Sequence, residues 1–237
     1  AARVVTFSIA NAADFRASDL RTTLGAQGFL TRFRFSSPLG GAEIALHVGG
    51  RHNVANALGA AAAAAAAGAT LEHIVAGLGA MRPVPGRLQL KKAACGAWII
   101  DDSYNATPSS VQAGIELLAQ LPGHRWLVFA DMAELGAYAA DSHDQVGRRA
   151  RACGIERLFA TGELARRAVA TFGAGASWFA DNAALAAGLG AELSGAALGF
   201  PPDEVRMLVK GSRFNHLEQV VAALVGPVSA GPGIEGA

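Results

Sequence analysis

The chain has 237 residues, a formal net charge of +1 at pH 7 and 51% hydrophobic residues. That length suits one large or two ordinary domains with an ample core, and the near-neutral balance lacks the basic stripe of a nucleic-acid binder. Cys95 and Cys153 are far apart without metal-ligand spacing, and the six histidines form no H-x-x-x-H pair, so nothing points to a structural zinc site.

Residues 1 to 50 alternate apolar and polar side chains between turn signals. Strands are expected at Arg3 to Ile9, Gly28 to Phe35 and Glu43 to Val48, in an antiparallel or mixed sheet. Helices are expected over Gly50 to Gly68 and Leu71 to Met81, the second with Leu71, Ile74, Val75 and Leu78 on one face. The eight-alanine run from Ala60 to Ala67 is too short, and too poor in large apolar side chains, for a membrane span. No secretory signal is visible; the two idle thiols suit a reducing cytoplasm, and a bacterial cytoplasmic protein without a membrane partner is expected. Residue 1 is Ala, and a strand-like run follows almost at once; the chain reads as a piece of something longer.

Arg82-Pro83-Val84-Pro85-Gly86-Arg87 packs two prolines and a glycine into six residues and is taken as the domain boundary. Beyond it strands are expected at 96–101, 125–131, 156–160, 176–180 and 205–210, with helices at 108–121, 142–153, 162–173, 181–194 and 214–225. Such alternation predicts an α/β fold, a doubly wound, Rossmann-like and mostly parallel sheet with helices on both faces. Residues 228–237 read as a flexible tail.

Five segments carry candidate chemistry. DDSYNATP (Asp101 to Pro108) follows the apolar run Ala97 to Ile100 and precedes Val111, Ile115 and Leu118 at helical spacing. Two carboxylates therefore stand where a strand stops, with Thr107 to cap the next helix and Pro108 in its first turn. Ligands of open α/β sheets bind beyond such strand ends; a plain acidic turn with a good cap is the competing reading. His52 and Asn53 open the alanine-rich helix, where they could hydrogen-bond a purine edge or simply cap. Arg87 follows a rigid turn and could meet phosphate oxygens. Lys210, Ser212 and Arg213 lie where the last strand gives way to a helix, a placement that suits an anion. The segment Asp131 to Gly136 and His143 could line an amine pocket or fill a loop. No phosphate-cradling G-x-x-x-x-G-K-[ST] occurs in the chain, and no G-x-G-x-x-G stands at the first strand-to-helix turn.

Together these segments resemble the Mur ligases. The matching pieces are GRHNVANAL (50–58), VPGRL (84–88), DDSYNATP (101–108), DMAELG (131–136), HDQVG (143–147) and LVKGSR (208–213), in family order and at family spacing. Ala130 stands where that family usually has Gly, and Thr107 where Asn is common. The resemblance is strongest to the branch that joins D-alanyl-D-alanine to UDP-N-acetylmuramoyl-tripeptide in peptidoglycan precursor synthesis. It implies that residues 1–82 are the end of a central ATPase domain of mixed α/β type and that 83–227 are a C-terminal domain. The segment 82–87 would be a hinge on which the C-terminal domain closes.

It further implies an ATP-dependent amide-bond ligase, working as a monomer, that activates the tripeptide carboxylate as an acyl phosphate for attack by the dipeptide amine. On that reading His52, Asn53, Arg87, Asp102 and Asn105 contact ATP. Asp131, Lys210, Ser212 and Arg213 face the D-alanyl-D-alanine side, and Lys210 and Arg87 act as catalytic cations. Magnesium would be held mostly by residues upstream of this chain, which by itself should be inactive. A sibling ligase, a folylpolyglutamate-type synthase and a non-catalytic nucleotide-binding module are the alternatives.

Overall fold

The computed structural model describes residues 4–25, 27–195 and 198–226. The chain divides into two compact units, Ala1–Leu90 and Lys91–Ala237.

The first unit is a four-stranded mixed sheet carrying two helices. Its strands are β1 (Phe7–Ser8), β2 (Phe15–Gly25), β3 (Gly28–Ser37) and β4 (Gly40–Leu46), in spatial order β1-β2-β3-β4. β1 runs parallel to β2, whereas β2, β3 and β4 are antiparallel. The expected strand at Arg3 to Ile9 shrinks to two residues among those described, and the longest strand, β2, was not anticipated. A register shift between Ser18 and Arg21, with Asp19 at φ 56°, breaks the inward alternation that Phe15 and Ala17 begin. Such a bulge hides a strand from a period-2 reading.

Helix α1 (Arg51–Ala66) lays Val54, Ala57, Leu58, Ala61 and Ala62 on the sheet. Their i, i+3, i+4 spacing makes the alanine run a close-packed face against Phe33, Phe35, Ile44 and Leu46. Thr70 caps α2 (Leu71–Ala80), its hydroxyl accepting from the His73 N–H at 3.3 Å. Among the described residues no helix is long and apolar enough to cross a membrane.

The second unit holds a six-stranded sheet in the order β5-β6-β10-β7-β8-β9. Its strands are β5 (Gln89–Lys92), β6 (Trp98–Asp102), β7 (His124–Ala130), β8 (Arg157–Thr161), β9 (Ala176–Phe179) and β10 (Val205–Lys210). All pairings from β6 to β9 are parallel. β5 is an addition to the sequence reading; four residues next to a proline-rich turn carry too little pattern to be found. Helices α3 (Pro108–Ala119), α4 (Ala139–Ala152) and α5 (Ala165–Phe172) form the layer on one face, and α6 (Asn182–Ser194) and α7 (Glu218–Val225) cover the other. The sheet is doubly wound, as its alternating pattern predicts. α4 begins three residues earlier than expected. α5 and α7 begin later, α7 because Arg213–Asn215 form a 3₁₀ turn first. The expected tail at 228–237 lies outside the described residues.

Two layers of apolar side chains fill this unit. Ile99, Val128, Met207 and Val209 meet Leu185, Leu189, Val220 and Val221 on the α6/α7 face, all essentially fully buried. Each such side chain contributes about 1.5–3 kcal/mol on burial. On the other face Gly114 brings α3 close to β10, since a Cβ there would stand 2.9 Å from Leu208 Cδ2. Gly147 does the same for α4 and α5: its missing Cβ would fall 2.1 Å from the Ala168 carbonyl oxygen.

Candidate functional site

β10 lies between β6 and β7, yet the helix after β6 (α3) covers one face while the helix after β10 (α7) covers the other. The chain thus departs to opposite sides from two neighbouring strands, and the crevice between such strand ends is where doubly wound sheets bind ligands. Asp102 ends β6, Lys210 ends β10, and the register sets them directly opposite each other.

Side chains alternate across a strand, so Asp101 and Asp102 project to opposite faces of the sheet. Asp101 is 1% exposed; its carboxylate takes Lys91 Nζ at 2.7 Å and the Ser103 hydroxyl and N–H at 2.6 and 3.2 Å. Asp102 Oδ2 accepts from Lys210 Nζ at 2.5 Å, and the same ammonium donates to the Asn105 carbonyl at 3.0 Å. Only 3% of the Lys210 side chain is exposed. The cation expected to face a migrating phosphoryl group is thus held inside, on a carboxylate and a carbonyl. Lys91 was not among the expected site residues. The scarcity of lysine, three in the whole chain, is the one signal that could have flagged it.

The turn after β6 runs straight into α3. The Thr107 hydroxyl accepts from the Ser110 N–H at 3.3 Å, the Ser110 hydroxyl meets the Thr107 N–H at 3.0 Å, and Pro108 takes the first helical position. This reciprocal cap fixes the strand-to-helix turn. Asn105 is exposed on it, its side-chain oxygen accepting from the Ala106 N–H at 2.8 Å.

Ser212 is buried and acts as a brace. Its hydroxyl donates to the Ala106 carbonyl at 3.2 Å and accepts from the Ala133 N–H at 2.9 Å, joining the loops after β6, β7 and β10. Arg213 is exposed beside it, with its guanidinium 5.1 Å from the Tyr104 ring centre. Asp131 turns elsewhere: its carboxylate accepts from the Ala165 N–H at 2.7 Å and the Leu164 N–H at 3.3 Å, at the start of α5. Its carbonyl receives the Ser212 N–H at 3.1 Å and Asn215 Nδ2 at 2.8 Å. His143 is fully buried, with Nε2 accepting from the Met132 N–H at 3.0 Å. Its Nδ1 must therefore donate to the Ala139 carbonyl 2.7 Å away, which fixes the neutral tautomer. His143 holds the loop after β7 instead of lining an open pocket.

In the first unit Gly50 caps α1 at φ 92°, and a Cβ there would fall 2.6 Å from the His52 ring. Asn53 is not the cap; its Nδ2 donates to the Gly49 carbonyl at 2.7 Å. Both His52 and Asn53 are half-buried. Arg87 is exposed at the end of a turn in which its N–H donates to the Val84 carbonyl at 3.0 Å. Pro85 and Gly86 (φ 70°) occupy the middle of that turn, as a type II turn requires. Among the described residues, no group of three or more His, Cys, Asp or Glu side chains could hold a metal ion.

Two family models match. The Mur ligase middle domain covers residues 1–64, and the Mur ligase glutamate ligase domain covers 86–223. The chain is 41% identical over 211 residues to the UDP-N-acetylmuramoyl-tripeptide–D-alanyl-D-alanine ligase of Escherichia coli K12, covering 89% of this chain and 44% of that protein. It superimposes on a crystal structure of MurF from Acinetobacter baumannii with a TM-score of 0.82 and 30% identity, over 93% of this chain and 46% of that one. A Mycobacterium tuberculosis folylpolyglutamate synthase complexed with ADP shares the fold at TM-score 0.66 and 19% identity, over 88% of this chain and 47% of that one. The chain spans less than half the length of the curated relatives it matches. One family model accounts for more than half of the residues and a second precedes it in order, so the chain belongs to the Mur ligase family.

Proposed function

We propose that this chain is the nucleotide- and amine-binding half of an ATP-dependent ligase that joins D-alanyl-D-alanine to UDP-N-acetylmuramoyl-tripeptide. The observation that carries the reading is the pairing of Asp102 with Lys210 at the ends of β6 and β10, where the sheet changes its winding. The E. coli relative at 41% identity supports the choice of substrates. Residues 1–82 belong, on this reading, to the central ATP-binding domain and 83–227 to the C-terminal domain.

The chemistry has two steps. The γ-phosphoryl group of ATP passes to the tripeptide carboxylate, giving an acyl phosphate and ADP. The dipeptide amine then attacks the acyl carbon, inorganic phosphate leaves, and the amine gives up a proton as the amide forms. Little covalent work falls to the protein, so positioning and fixed charge do most of it. Asp102 meets the ribose hydroxyls, Asn105 extends that edge, and His52 and Asn53 frame the adenine. Arg87, on its rigid turn, is the catalytic cation for the phosphates. Arg213 lies open to solvent beside Tyr104 and receives the dipeptide carboxylate, with Ser212 and Asp131 holding the loops that carry it. Magnesium would neutralise phosphate charge when bound; among the described residues no group of three or more His, Cys, Asp or Glu side chains could hold it.

The test is ligation by the full-length protein with ATP and UDP-N-acetylmuramoyl-tripeptide, read by phosphate release. D-Alanyl-D-alanine should support turnover, and L-glutamate, the acceptor of a folylpolyglutamate-type synthase, should not. The 237-residue chain by itself should match a protein-free blank, because it contains no phosphate-cradling loop sequence. Turnover by the isolated chain, or a preference for glutamate, would overturn the assignment.

A further inference from the structure

Lysine is used sparingly in this chain, at positions 91, 92 and 210, against an abundance of arginine. Two of the three are committed to one dipeptide: Lys91 to Asp101 on one face of the sheet and Lys210 to Asp102 on the other. Consecutive carboxylates at a strand end lose hydration as they are covered, and here each has its own ammonium partner. An ammonium is a compact point charge on a flexible stem, smaller than a planar guanidinium. The Lys210 stem passes under α3 at Gly114, whose missing Cβ would stand 3.7 Å from Lys210 Cδ.

We propose that Lys210 is a positioning residue for Asp102 and not a contact to the migrating phosphoryl group. The proposal rests on the reading of Asp102 as the ribose contact. The ammonium is buried and spans the Asp102 carboxylate and the Asn105 carbonyl, so one charge ties the end of β6 to the turn that follows. It fixes the orientation of the Asp102 carboxylate before nucleotide arrives. Nucleotide affinity therefore depends on Lys210 through Asp102. A lysine on the phosphoryl group would instead act in the transition state, and its loss would appear in kcat.

The experiment is a double-mutant cycle in the full-length protein, with ADP affinity and the ATP KM and kcat as readouts. Lys210→Met and Asp102→Asn should each weaken ADP binding and raise the ATP KM by about tenfold or more, the cost of a lost charged hydrogen bond. In both, kcat at saturating ATP should fall far less than KM rises. The double variant should be no worse than the weaker single one, because the two residues act as a unit. Lys210→Gln keeps an uncharged N–H donor on a stem one atom shorter and should recover at most part of the loss; it carries the same cycle if Lys210→Met does not fold. A fall in kcat with unchanged KM, or additive losses, would overturn the proposal. If Asp102→Asn shifts affinity and neither Lys210 variant does, the ribose reading stands and this inference alone fails. If Asp102→Asn shifts nothing, both fail.

Discussion

Replacing Asp131 by alanine distinguishes what this carboxylate does from what its place in the DMAELG segment suggests. It accepts two N–H groups at the start of α5, from Ala165 at 2.7 Å and Leu164 at 3.3 Å, and α5 has no side-chain cap of its own. Loss of such a cap costs about 0.5–2 kcal/mol. Loss of a negative charge at the positive end of a helix adds about 0.3–1 kcal/mol. The expected total is about 1–3 kcal/mol, a fall in Tm of roughly 2–12 °C for a domain of this size. Gly162 leaves room for the carboxylate and little more, since a Cβ there would be 2.5 Å from Asp131 Oδ1. Asp131→Asn fits the same space, keeps one acceptor and should lose about half as much. Urea unfolding gives the free energies, and hydrogen exchange at the Ala165 and Leu164 amides localises the effect. The Asp131 carbonyl still receives Ser212 and Asn215 in either variant, so the loop beside it should hold. Unchanged stability and exchange, together with weakened dipeptide binding in the full-length protein, would refute the capping role.

Gly147→Ala should destabilise by about 1–3 kcal/mol despite the better helix propensity of alanine, because the new methyl meets the Ala168 carbonyl and the Thr171 hydroxyl at the α4–α5 crossing; a raised Tm would contradict that packing. Asp102→Ala in the full-length protein should weaken ATP binding about tenfold to a hundredfold. Asp101→Ala, which leaves buried Ser103 and half-buried Lys91 without this partner, should instead lower the Tm, and the reverse pattern would shift the site by one residue. Glu156 is held below the ordinary carboxylate range: burial pushes it up, but the hydrogen bond and charge of His124 and the bonds from Arg125 outweigh that. Its stabilisation is therefore full above the ordinary carboxylate pKa and lost as the pH falls through the lowered value. The stability gap between the wild type and Glu156→Gln should close on acidification, and a constant gap would refute the linkage. Limited proteolysis should cut first within 82–87, where Arg82, Val84, Pro85 and Arg87 are exposed, and leave a resistant C-terminal core. First cuts inside 100–210 would contradict the expected boundary.

Much of the architecture is written locally. Leu71, Ile74, Val75 and Leu78 announce a helix by spacing alone, and Thr107 with Pro108 announces where α3 starts. The alternation of strands and helices after residue 96 leaves few options besides a doubly wound sheet. These signals are legible because propensity, capping and amphipathic period act between residues a few positions apart. Where local geometry departs from its period the signal fails. The bulge at Ser18–Arg21 conceals β2, and the four residues of β5 are too few to show one.

The roles of the charged residues were decided elsewhere. Asp131 and α5 are joined across 34 residues, and Lys210 and Asp102 across 108. Sequence alone could place Lys210 and Asp102 at strand ends and mark them as chemically apt. It could not reveal that β10 inserts between β6 and β7 in the register that opposes them, nor that α5 starts beneath Asp131. Strand order and register arise from the packing of whole apolar faces, which is non-local and carries no short-range pattern. An ionised side chain takes whichever partner that packing brings within reach, so its residue type was set by the sequence and its role by the tertiary fold.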